Sequence, residues 1–228
     1  MSAAAKPRKR IAVLISGRGS NMEALIAAAA APDFPGEIVA VLSNRPDARG
    51  LETAAMHGIA AVAVDHKAFA SRAAHEAAVM EALDRVQPDV VCLAGYMRIL
   101  SADFTQRYRG RMINIHPSLL PLFPGLDTHA RALGAGMRLH GCTVHFVTEV
   151  MDEGPIIAQA AVRIEAGDTA ETLSRRVLGA EHRLYPHALR LVLDGRVTID
   201  GGLVPTEAST QTAAPASCEM LIAPATSA

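Results

Sequence analysis

Ile11-Ala12-Val13-Leu14-Ile15-Ser16-Gly17-Arg18-Gly19-Ser20-Asn21 carries a short β-branched run into a glycine turn, and Met22-Glu23-Ala24-Leu25-Ile26 continues it as an alanine- and leucine-rich stretch. Five consecutive apolar residues need cover on both faces, which a parallel sheet enclosed by helices supplies. Ser20 followed by Glu23 has the spacing of a capping box, so a helix is expected to begin near Ser20 and to stop at Pro32. A strand, a glycine turn and a helix start present backbone N–H groups and a positive dipole end to an anion. The plainer alternative is a tight β-to-α turn with Ser20 as a structural cap. Met22 stands where a dinucleotide fingerprint has its third glycine, and Leu42-Ser43-Asn44-Arg45 offers no acidic residue for an adenine ribose. With no Walker A motif either, a monophosphate is the better ligand.

The same alternation extends along the chain. Strands are expected at 11–15, 38–42, 61–64, 90–93, 112–116, 143–147 and 156–164, and helices at 20–30, 51–57, 72–86, 128–133 and 170–193. Gly58 closes the second helix as a C′ residue, Pro88 ends the third, and Pro186 bends the last. This is the pattern of an α/β fold with a mostly parallel sheet of about seven strands and helices on both faces. Residues 1–10 form a basic leader, 11–203 one domain, and 204–228, rich in Ala, Thr, Ser and Pro without periodicity, a disordered tail.

Composition removes several classes of function. A net charge of -1 gives no bulk attraction to nucleic acid or to an anionic membrane. No run approaches the ~18 apolar residues of a membrane span, and the apolar run after the basic leader is too short for a signal peptide. Cys92, Cys142 and Cys218 are an odd number without a CxxC pair, so a reducing, cytoplasmic setting fits, with Cys92 and Cys142 as core thiols.

Asn114-Ile115-His116-Pro117 opens a proline-punctuated stretch, Ser118-Leu119-Leu120-Pro121-Leu122-Phe123-Pro124-Gly125, and Asp152 follows in Met151-Asp152-Glu153-Gly154-Pro155. On a strand, Asn114 and His116 project to one face, and Pro117 keeps His116 extended. An amide, an imidazole and a carboxylate are what acyl transfer needs: an oxyanion donor, a proton donor, and a charge that favours the imidazolium. His57, His66 and His75 read as surface residues. His140 and His145 flank a strand without ligand spacing, and His129, His182 and His187 lie on helices, facing solvent or lining a site. No metal is implied.

These residues resemble the phosphoribosylglycinamide formyltransferases, folate-dependent enzymes of purine synthesis. The likeness covers nearly all of 11–200 and rests on IAVLISGRGSN, LAGYMRIL, NIHPSLLPLFPG and HGCTVHFVTEVMDEGPII. It implies a Rossmann-like formyltransferase fold and direct attack by the amine of glycinamide ribonucleotide on the formyl carbon of 10-formyltetrahydrofolate, through a tetrahedral intermediate. Asn114, His116 and Asp152 would then be catalytic. Gly19, Ser20, Asn21, Met22 and Glu181 would hold the ribonucleotide. Arg72, Met97, Arg98, Ile99, Leu100, Asn114, Thr148, Glu149, Val150, Met151 and Asp152 would hold the folate. The resemblance also implies small-molecule partners only and a monomer or homodimer. Asn114, His116 and Asp152 alone are shared with formyltetrahydrofolate deformylase and methionyl-tRNA formyltransferase, so they name the chemistry but not the acceptor. A non-catalytic folate- or nucleotide-binding module is a more distant alternative.

Overall fold

The computed structural model describes residues 7–199 and 220–223. They fall into two compact units that divide between Met97 and Arg98. In the first, β1 (Lys9–Ile15), α1 (Ser20–Ala29), β2 (Gly36–Ser43), α2 (Arg49–Met56), β3 (Ala60–Ala63), α3 (Arg72–Val86) and β4 (Val90–Leu93) alternate, with a 3-10 turn at His66–Ala68. The pairs β1–β2, β1–β4 and β2–β3 are all parallel, in the order β3-β2-β1-β4. The central strand is buried from Ile11 to Ile15, as five consecutive apolar residues require.

The second unit holds α4 (Ala102–Arg107), β5 (Met112–His116), α5 (Thr128–Gly134), β6 (Leu139–Phe146), β7 (Ile156–Arg163), α6 (Ala170–Leu193) and β8 (Met220–Ala223). Its pairs β5–β6, β6–β7 and β7–β8 are antiparallel. The α6 helix packs on β6 and β7 through Leu173, Val177, Leu184 and Leu189 and continues through Pro186. The Tyr185 hydroxyl donates to the Ile113 carbonyl at 3.2 Å, tying α6 to the strand that bears Asn114 and His116.

The expected α/β architecture is present, with differences in detail. The strand β1 starts at Lys9, inside the presumed leader, because Lys9 and Arg10 register against Gly36 and Glu37 and pair with Asp89 and Glu37 at 3.8 Å each. Residues 1–6 lie outside the described residues. The strand β6 starts at Leu139 rather than at residue 143. Gly141 belongs in it, since a Cβ there would stand 1.9 Å from the Ala160 carbonyl oxygen. The short helix α4, capped by Ser101, is additional to the expected helices. Of the presumed tail, Met220–Ala223, its most apolar run, forms a strand on β7; the rest of 204–228 lies outside the described residues. His75, expected on the surface, is buried: with Val79 and Leu83 it forms an i, i+4, i+8 stripe, and its Nε2 donates to the Val64 carbonyl at 3.0 Å.

Candidate active site

In the first unit the residues expected to hold a phosphate, Gly19 to Met22, lie in and just after the turn that follows β1. Gly19 is left-handed, with φ of 79°, and occupies the N-cap of α1 without a side-chain cap bond. The expected Ser20–Glu23 capping box is therefore absent: Glu23 N–H bonds the Gly19 carbonyl at 2.9 Å and Ser20 is the first helical residue. Its hydroxyl, not engaged as a cap, lines a cavity of about 230 Å³ with Ser16, Gly17, Arg18, Gly19, Asn21, Ala94, Gly95 and Met97.

The walls of this cavity are fixed from behind. The Ser16 hydroxyl donates to Asn44 Oδ1 at 2.5 Å and accepts from Met97 N–H at 2.7 Å, while Ser16 N–H bonds the Gly95 carbonyl at 3.2 Å. Gly50 in the first turn of α2 bonds the Gly17 carbonyl at 3.2 Å. A Cβ at Gly50 would stand 2.3 Å from Ile15 Cδ1, so a larger residue there would require the end of that side chain to move.

In the second unit, antiparallel register sets Asn114 opposite His145 and His116 opposite Thr143. His116 is buried, and both ring nitrogens face acceptors: Nε2 donates to the Phe123 carbonyl at 3.1 Å, and Nδ1 lies 3.5 Å from Asp152 Oδ2. Asp152 adopts a left-handed φ of 60° and accepts the Gly125 N–H at 2.8 Å. Just beyond it, Gly154 has no room for a side chain, since a Cβ would come 1.7 Å from the Phe146 carbonyl oxygen.

The proline loop that supplies Phe123 and Gly125 is pinned along its length. Thr143 Oγ1 donates to the Ser118 carbonyl at 2.7 Å and accepts Leu120 N–H at 3.0 Å; Gln159 Nε2 donates to the Leu120 carbonyl at 2.8 Å; Thr128 Oγ1 donates to the Pro117 carbonyl at 2.7 Å. These bonds hold in place the Phe123 carbonyl that His116 meets and the Gly125 N–H that Asp152 accepts.

One residue of this cluster, His145, has no ligand spacing to mark it in the sequence. Its Nδ1 donates to the Phe146 carbonyl at 2.9 Å, its Nε2 meets Asn114 Nδ2 at 3.1 Å, and Asp152 Oδ1 is 3.9 Å away. Burial holds its pKa below 6.5, with His116 adding to the shift and the Phe146 carbonyl and Asp152 opposing it.

The other expected residues are placed as follows. Met97, Ile99, Val150 and Met151 are large apolar side chains turned to solvent, between 55% and 66% exposed. Arg98 and Leu100 are half-buried. Arg72, exposed at the start of α3, pairs with Glu76 at 3.8 Å, so in this unit it has a structural partner. Glu149 accepts from Gln106 at 3.2 Å, and the Thr148 hydroxyl donates to the Val150 carbonyl at 3.2 Å. Met22 is fully buried under the glycine turn. Glu181 is buried on α6, where its charge joins burial in pushing the Cys142 thiol up.

His140, buried on β6, packs edge-on against His129, and Phe123 stands edge-on to it as well. Burial, reinforced by His129 and His116, lowers its pKa to about 4 against a hydrogen bond to the Pro117 carbonyl. An unfolded chain takes up this proton near 6.5, so between 6.5 and about 4 the unfolded state binds more protons and stability drops as pH drops. His140→Asn is expected to make the decline of the urea midpoint across that window shallower; an unchanged slope would contradict the assignment.

A profile described as "Formyl transferase" matches residues 9–189. The chain belongs to the formyl transferase family. Within it, the chain is 48% identical over 187 residues to the phosphoribosylglycinamide formyltransferase of Escherichia coli (strain K12), covering 82% of this chain and 88% of that protein. A crystal structure of phosphoribosylglycinamide formyltransferase from Brucella melitensis superposes with a TM-score of 0.80 at 62% identity, over 82% of this chain and 96% of that one. The chain also matches the trifunctional purine biosynthetic protein adenosine-3 of Bos taurus at 49% identity, but spans only 19% of that relative's length. Of the Escherichia coli and Brucella melitensis proteins, by contrast, the match covers 88% and 96%.

Proposed function

We propose that the chain transfers the formyl group of 10-formyltetrahydrofolate to the amine of glycinamide ribonucleotide, a step in purine synthesis. The observation that carries this reading is the buried cluster in which His116 faces Asp152 at 3.5 Å with Asn114 two residues before it on the same strand. The cavity at Ser16–Asn21 supports the choice of acceptor, because a turn of backbone N–H groups at a helix start suits a phosphate monoester. Arg18 in its lining adds a cation. Exposed Ile99, Val150 and Met151 suit an apolar ring system such as a pteridine.

When bound, the folate presents a formyl carbon on N10. Asn114 donates a hydrogen bond to the oxygen on which charge develops as the amine attacks. His116 stabilises that oxygen and gives its Nδ1 or Nε2 proton to N10 as the carbon–nitrogen bond breaks, and the amine loses a proton in compensation. Asp152, 3.5 Å from His116 Nδ1, sets a negative charge beside the ring as it works on the leaving nitrogen and can position a water that carries the returning proton.

The purified protein, supplied with 10-formyltetrahydrofolate, is expected to release tetrahydrofolate only when glycinamide ribonucleotide is added. Equal release with water alone would move the chain to the deformylases, and binding without release would make it a binding module.

A further inference from the structure

An asparagine side chain has a donor end and an acceptor end of nearly equal shape. Only the donor end can stabilise an oxyanion, so something must decide which end points where. Asn114 is half-buried on β5, and among the described residues its carboxamide meets His145 on the neighbouring strand.

We infer that His145 is a positioning residue for formyl transfer, its Nε2 accepting one hydrogen of the Asn114 carboxamide so that the second is left for the reacting oxygen; this rests on the formyl-transfer reading given under Proposed function. The backbone sets the tautomer of the ring. The Phe146 carbonyl can only accept, so His145 Nδ1, 2.9 Å away, carries the proton. In a neutral ring this leaves Nε2 bare, and a bare nitrogen 3.1 Å from the carboxamide can be satisfied only by its NH₂ end. Burial keeps the ring neutral. The same NH₂ group then serves both His145 and the oxyanion. A carboxamide turned by 180° would place Oδ1 against developing negative charge.

Protonation of His145 reverses the arrangement. The titratable groups that face it are His116 from β5 and Asp152 from the loop after β6. A protonated Nε2 must find an acceptor, and two are at hand: Oδ1 of a turned Asn114, and Asp152 Oδ1 at 3.9 Å. The first misplaces the oxyanion donor; the second draws the carboxylate from His116. Either way turnover falls.

Two substitutions of similar bulk separate orientation from packing. His145→Asn carries an amide at the place of Nδ1, so it keeps a donor for the Phe146 carbonyl and leaves nothing for Asn114. His145→Gln reaches the place of Nε2, can return a carbonyl acceptor to Asn114, and has no proton to gain. His145→Asn is expected to lower kcat by roughly 10- to 100-fold, with both KM values within about threefold of the wild type, since an interaction made only in the transition state is lost. His145→Gln is expected to recover most of that loss. In an Asn114→Ala background His145→Asn should cost nothing further, because one residue acts through the other. As pH falls from 6.5 the ratio of wild-type to His145→Gln kcat should fall, since residue 145 can take up a proton only in the wild type, and the titration of the substrate and of groups common to both proteins cancels. Equal losses in the two variants, additive losses in the double variant, or a flat ratio would each overturn the inference. Absence of ribonucleotide-dependent release by the wild type would instead overturn the functional reading on which it rests.

Discussion

Asp152→Asn is expected to lower kcat by roughly 10²- to 10⁴-fold, the range for a misplaced or missing proton donor, while leaving the unfolding midpoint within a few degrees of the wild type. The substitution keeps the shape of the side chain, and an asparagine oxygen can still accept the Gly125 N–H that Asp152 accepts at 2.8 Å. What it removes is the negative charge 3.5 Å from His116 Nδ1. Without that charge, positive charge on the ring loses its nearest counter-charge during proton transfer, while Nε2 stays engaged in donating to the Phe123 carbonyl. Steady-state kinetics at saturating folate and ribonucleotide decides the matter. An undiminished rate would sink the charge role assigned to Asp152 and return the residue to a loop-shaping one, for which its bond to Gly125 would be sufficient.

Asn114→Ala is expected to cost about 3 to 4 kcal/mol of activation free energy, or roughly 10²- to 10³-fold in kcat, with little change in either KM. The side chain is half-buried, so no large cavity is left behind. The stability cost should be confined to the lost hydrogen bond with His145, about 1 kcal/mol. A variant that raised KM and left kcat intact would show that Asn114 binds ground state and transition state alike, and the oxyanion role would fall.

Much of this site is legible in the order of its residues. Glycines flanking Arg18, placed after five apolar residues, could hardly be anything but a β-to-α turn, and an alternating Asn-x-His ahead of a proline puts two side chains on one face. Elsewhere the residue order misleads. Ser20 and Glu23 have the spacing of a capping box, yet a glycine free to take a left-handed conformation moves the cap one residue upstream. Spacing cannot reveal His145, because its partner lies 31 positions away and only the register of β5 on β6 brings them together. The contributions of the Phe123 carbonyl and the Gly125 N–H are out of reach for a different reason: every residue has a carbonyl, nearly every one an N–H, and only the path of the loop decides which of them is useful. His75, by contrast, is within reach, since its spacing with Val79 and Leu83 describes a buried stripe.

The pairing of β8 with β7 bears on how the protein can be handled. Residues Gln159 to Val162 present a row of backbone donors and acceptors, and Met220 to Ala223 take them up. A chain cut back to the end of α6 would keep the cavity-lining turn and the whole Asn114–His116–Asp152 cluster, yet would leave that row open. Open strand edges recruit other strands, so such a shortened enzyme trades a protected border for an adhesive one, and its solubility rather than its chemistry would register the loss.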